Sequence, residues 1–174
     1  NQYPYASVNA FNVWSATGAL WASDQKPVAG LTAQTWGMIL FGATALGVVL
    51  LALRRSTLTS PDLFLAAATL SFLAFTFLTR AHERHVFPAI ALLAFVAVSR
   101  PMLFGAYLAS TAAALVNTLY AYRSLELHIP EPLSPTAVRV ISGLPVIICL
   151  VCLLALRRSA IGGSRAALHA KVKP

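Results

Sequence analysis

The chain has 174 residues, of which 58% are hydrophobic and only 10% charged, with a formal net charge of +8 and a mean hydropathy of +0.73. A soluble domain carries about 25% charged residues, and a soluble fold of this composition could not cover its apolar surface. The basic balance argues for no nucleic acid as partner: the 13 Lys and Arg sit in short clusters at the ends of apolar runs, where membrane lipids would place them, and not on one face.

Residues 1–34 mix aromatic, amide and small side chains without a long apolar run. They predict an external interfacial loop with a short helix near 6–22 and a turn from Asp24 to Gly30. Tyr3, Tyr5, Trp14 and Trp21 are amphipathic rings of the kind found at headgroup depth. Asn9 and Asn12 lie three residues apart, with Trp14 close by. Amides with aromatic faces suit sugar hydroxyls and the apolar faces of sugars. The same residues equally suit an interfacial aromatic belt with helix-capping Asn.

Apolar runs then follow at about 36–53, 62–79, 86–99, 102–122 and 136–156, predicting an all-α polytopic membrane protein with about five transmembrane helices in a bundle over 35–158. The first run ends at Arg54-Arg55, and Ser60-Pro61-Asp62 is a helix start signal. The third run, Val86 to Ser99, is short for a span, yet a crossing there keeps the topology consistent. Arg123 to Pro135 is a loop with three prolines. Arg139 lies near the start of the fifth run, which ends at Arg157-Arg158. The tail, 159–174, carries Arg165, Lys171 and Lys173 and is expected to fray. Cys149 and Cys152 lie inside the last apolar run and are expected to be small core residues.

With five crossings, one side receives Arg54, Arg55, Arg100, Arg157, Arg158, Arg165, Lys171 and Lys173, and the other receives Lys26, Arg80, Arg84, Arg123 and Arg139. The richer side is expected to be cytoplasmic, which makes the tail cytoplasmic and the other face external. The chain starts without a signal-peptide pattern, and is expected to be the C-terminal part of a longer protein.

The densest polar cluster is Arg80-Ala81-His82-Glu83-Arg84-His85, wedged between two apolar runs. Each charge would cost about 2.5–3.5 kcal/mol at mid-bilayer. A solvated turn is the bland explanation, but a tight turn usually uses Gly, Pro, Asn or Asp. The stretch reads as a continuing helix, on which Arg80 and Glu83 can pair and His82 and His85 share a face. A metal site from His82, Glu83 and His85 has the wrong spacing for a zinc protease and no evident third ligand, although His128 lies on the same predicted side. Two Arg beside two His suit an anion better.

Tyr3-Pro4-Tyr5-Ala6-Ser7-Val8-Asn9-Ala10-Phe11-Asn12-Val13-Trp14, followed by Arg80-Ala81-His82-Glu83-Arg84-His85-Val86-Phe87-Pro88, resembles the GT-C superfamily of membrane glycosyltransferases. The likeness is greatest to bacterial mannosyltransferases that use a polyprenyl-phosphate sugar. Those carry an SxNAFNLW-like stretch and, two hydrophobic segments later, an RxHERYLFP-like stretch. Arg80, His82, Glu83, Arg84, Phe87 and Pro88 match the second; His85 replaces its Tyr and Val86 its Leu. The resemblance covers roughly residues 1–100. It implies a bacterial or archaeal plasma membrane enzyme without a cofactor. Such an enzyme transfers a hexose, mannose above all, from a polyprenyl- or dolichyl-phosphate sugar donor to an acceptor at the outer face. The catalytic acidic residue is expected upstream, with neither Asp24 nor Asp62 replacing it. Arg80, His82, Arg84 and His85 would hold the donor phosphate, Glu83 would orient them, and Tyr5, Asn9, Asn12 and Trp14 would line the sugar or acceptor pocket. A transporter or flippase of an anionic lipid would instead show charges within spans and inverted repeats. A non-catalytic membrane subunit is the remaining alternative.

Overall fold

A computed structural model describes residues 4–54, 58–130 and 132–171, with side chains described as far as Arg158. Tyr3, Arg55 and Lys173, and the side chains of Arg165 and Lys171, lie outside the described residues. The elements in order are a one-turn helix α1 (Val13–Ala16), a hairpin β1 (Pro27–Val28) and β2 (Leu31–Thr32), then α2 (Ala33–Leu53) and α3 (Ser60–Phe77). A 3-10 turn (Glu83–Val86) leads into α4 (Phe87–Ser99), and a second (Pro101–Leu103) leads into α5 (Phe104–Leu125) and α6 (Pro135–Lys171).

Four stretches, Ala33–Leu53, Ser60–Phe77, Pro101–Leu125 and Pro135–Arg158, are long and apolar enough to cross a bilayer. The chain is therefore an all-α polytopic integral membrane protein. α2 buries only Ala33, Gly37 and Val48, and Leu53 and Val98 are among the many large side chains left exposed, as lipid-facing surfaces require. Helix association in lipid relies on close packing. The seam between α3 and α4 supplies it with Leu65, Ala68, Ala89, Leu93 and Val96, all fully buried.

The short fourth element keeps pace with its neighbour. Asp62, at the start of α3, pairs with Arg100 after α4, and Phe64 stacks on Phe95 with ring centroids 5.4 Å apart, so α4 runs antiparallel to α3. The 18 residues of α3 rise about 27 Å. The 13 residues of α4 and the 4 of the preceding 3-10 turn rise about the same, because a 3-10 residue advances about 2 Å.

The two ends of the bundle follow from these contacts. Residues 4–32, the start of α2, the end of α3, the 80–86 segment, the end of α5 and the start of α6 share one end. Arg54, Asp62 and Arg100 lie at the other.

Three expectations change. The helix near 6–22 shrinks to Val13–Ala16, and residues 6–12 are buried in the bundle end and do not lie as an interfacial loop. The turn placed at Asp24 to Gly30 divides into two: one at Asp24-Gln25, and one at Ala29-Gly30 with φ of 48° and 86°, the left-handed pair a two-residue hairpin needs. The tail does not fray at 159, because α6 continues as helix to Lys171.

Candidate functional site

The last carbonyls of any helix lack intrahelical partners. At the end of α3 those partners come from the opening stretch of the chain: Asn12 Nδ2 donates to the Phe75 carbonyl at 3.2 Å, and Trp14 Nε1 donates to that of Phe77 at 2.8 Å. The Asn12 oxygen meanwhile caps α1 by accepting from the Trp14 and Ser15 N–H groups. Asn12 is fully buried and Trp14 nearly so.

Asn9 adopts a left-handed φ of 56°, which Asn tolerates better than most residues. Its carbonyl accepts from Asn117 Nδ2 at 2.5 Å, while Asn117 Oδ1 accepts from the Phe11 N–H at 2.9 Å. Trp21 Nε1 donates to Asn9 Oδ1 at 3.1 Å, and Asn9 Nδ2 is buried without a partner. Asn9, Asn12 and Trp14 are thus committed to holding the segment in place. Of the four expected sugar-lining residues, Tyr5 is the one left partly exposed, edge-on to Trp21 at 5.2 Å.

The two distant stretches join through the backbone. The Val8 N–H donates to the Ala81 carbonyl at 3.0 Å, and the Arg80 N–H donates to the Tyr5 carbonyl at 3.1 Å. These bonds explain why 80–85 is not the continuous helix its composition suggests. α3 stops at Phe77, Arg80 takes a left-handed φ of 63°, and Ala81 bridges to Ser7 before the chain recoils at Glu83. A partner strand outcompetes the helix here. The expected Arg80–Glu83 pair gives way to Arg80–Asp24, with Nε 2.6 Å from Oδ2.

In the 3-10 turn the His82 N–H donates to His85 Nδ1 at 3.1 Å. The two rings meet edge to face at 5.4 Å, so these His do come together. Arg84 and His85 are exposed, and His82 and Glu83 half-buried. His128 stands in a separate loop with Nδ1 3.1 Å from the Glu126 carbonyl oxygen. No three His, Cys, Asp or Glu among the described residues gather to hold a metal ion.

Burial, and then Arg84, hold the His82 imidazole below its ordinary value of 6.5; Glu83 opposes this, and His85 adds a smaller push downward. The native state therefore resists a proton that the unfolded chain accepts. This contribution to stability is fully present above pH 6.5 and is lost as pH falls toward the depressed native value. The thermal midpoint in lipid nanodiscs should drop on acidification from pH 7.5 to 5.5, and His82→Gln should shrink that drop. An equal drop in the variant would refute the assignment.

An open cavity of about 290 Å³ lies between α1, the hairpin and α2, lined by Trp14, Thr17, Gly18, Ser23 and Lys26 among others. No residue of 80–85 lines it. Asp24 and Asn117 are the residues that sequence reasoning passed over. Asp24 sits in a polar loop, like any solvated acid. Asn117 was legible only as the one amide inside the 102–122 apolar run. The chain matches no protein-family model, no curated protein and no solved structure.

Proposed function

We propose that the chain forms the donor-phosphate end of an integral membrane glycosyltransferase. That enzyme would move a hexose, mannose by the resemblance, from a polyprenyl- or dolichyl-phosphate carrier to an acceptor at the outer face. One observation carries the reading. The two stretches that resemble the GT-C enzymes are far apart in sequence, yet are hydrogen-bonded to each other at one end of the bundle. Arg84 and His85 stand exposed there, with Arg80 half-exposed.

The chemistry fits that end of the molecule. When a glycosyl–phosphate bond breaks, negative charge gathers on the departing phosphate, and fixed guanidinium groups stabilise it without reorganising. His82, neutral by its depressed pKa, would offer a hydrogen bond and not a charge. Trp21, 38% exposed and in contact with Tyr5, offers an aromatic face to the outside. The asymmetry of basic residues supports an outward orientation of this end.

Arg84→Ala tests the reading, because the side chain is exposed and makes no hydrogen bond or ion pair found among the described residues. In the full-length protein with radiolabelled polyprenyl-phosphate mannose, transfer should fall roughly 100-fold, and His82→Ala should lower it less. Near-normal transfer in both variants would reject the role of this end.

A further inference from the structure

We infer that Asp24 is a positioning residue that turns the Arg80 guanidinium into an outward two-pronged receptor for a phosphate group. The inference deepens the proposed function and rests on it for the identity of the phosphate, though not for the binding itself.

Asp24 is fully buried and fixed from every side. Its N–H donates to the Pro4 carbonyl, its carbonyl accepts from the Gln34 N–H, and its Oδ1 accepts from Gln25 Nε2 at 3.0 Å. Gln25 Nε2 is shared with Gln34 Oε1 at 2.8 Å. Arg80 meets the other carboxylate oxygen of Asp24, Oδ2, with Nε at 2.6 Å.

A guanidinium and a carboxylate frequently pair through two parallel bonds. Here the bond runs from Nε alone, the second oxygen accepts from Gln25, and no other partner of the Arg80 guanidinium is found among the described residues. The end-on edge of the guanidinium, with one N–H from each terminal amino group, is distinct from the Nε–H edge that meets Asp24 and makes no hydrogen bond among the described residues. The Arg80 side chain is 32% exposed, while that of Asp24 is 0% exposed. The carboxylate is therefore hidden from an approaching anion, while part of the Arg80 side chain can be reached from outside.

The backbone supports the same assignment. Arg80 holds a left-handed φ of 63°, a conformation that costs a non-glycine residue about 1–2 kcal/mol. Strain of this kind persists where the surrounding structure over-determines it, as the backbone bonds to Tyr5 and Val8 do here, and it clusters at ligand clamps. Two phosphate oxygens match the spacing of the two terminal amino groups, whereas a lysine could offer only a point charge.

The experiment measures binding of a polyprenyl monophosphate to the full-length protein in zwitterionic nanodiscs, by titration and by the phosphorus NMR shift of the bound headgroup. A parallel arm uses inorganic phosphate. Asp24→Asn and Arg80→Lys should each weaken binding roughly tenfold. The double variant should lose little more than either single one, and Asp24→Glu should restore part of the loss. The phosphorus shift of the residual complex should move in Arg80→Lys.

Additive losses, or wild-type binding in a folded Asp24→Asn, would overturn the inference. So would failure of the wild-type protein to bind either probe. If Asp24→Asn does not fold, Arg80→Lys decides alone, because its ammonium can keep the pair with Asp24 while removing the fork; unchanged binding and NMR shift there overturn the proposal. Competition by inorganic phosphate at equal strength assigns the site to the phosphate group itself, and selectivity for the lipid assigns it to the carrier; either supports the fork. Intact binding with no glycosyl transfer under any condition would sink the proposed function and leave this inference standing.

Discussion

Asn117→Ala should destabilise the protein by about 2–6 kcal/mol, because two buried backbone groups lose their partners at about 1–3 kcal/mol each. The Phe11 N–H and the Asn9 carbonyl face the bundle interior, and residues 9–11 are buried, so water cannot readily replace the amide. The tilted contact of Phe11 with Tyr120, centroids 5.0 Å apart, should loosen as well. Asn117→Asp keeps an acceptor for Phe11 and removes the donor for Asn9, so it should lose an intermediate amount. Unfolding in mixed detergent micelles, followed by tryptophan fluorescence, measures both. An alanine variant within about 0.5 kcal/mol of wild type, the range of an unimportant surface change, would show that the opening segment is not anchored this way.

Gly37→Val should be comparably damaging for a different reason. A Cβ at Gly37 would land inside the Phe77 carbonyl oxygen, while only touching the Trp14 ring at ordinary contact distance. That oxygen already accepts from Trp14, so backbone and cap must both move. Overpacking a tight site costs about 1–3 kcal/mol, and the lost capping bond adds to it. Gly42 and Gly47, on the same helix with nothing within 4 Å, provide the control: valine at either should be nearly silent in the same unfolding assay. Equal effects at all three positions would point to helix propensity and remove the close contact from the explanation.

These two sites show what could be read from the residues and what could not. The long apolar runs announce the spans, because bilayer thickness translates directly into residue count. The gathering of Lys26, Arg80, Arg84, Arg123 and Arg139 at one end also follows from run length alone. The partnerships are non-local and leave no such trace. Nothing in the composition of 80–85 reveals that Tyr5 and Ser7 will pull it out of helical form, since its local preferences favour a helix. Asp24 looks like a solvated loop acid until Arg80 arrives beside it. Asn12 and Trp14 carry the vocabulary of sugar recognition, and the same amide and indole groups serve a helix end equally well. Chemistry can be read from residue type, but its recipient depends on packing.

The brevity of α4 has a consequence for the lipid around it. A regular helix of 13 residues presents a wall about 20 Å tall, against about 32 Å for the 21 residues of α2. Acyl chains beside α4 must therefore tilt or shorten, at an elastic cost of fractions of a kcal/mol per Å of mismatch. With its 3-10 turn the element still matches the rise of α3, so the shortfall falls on the polar turn, and a leaflet thinned beside it would bring lipid phosphates lower toward Arg84 and His85.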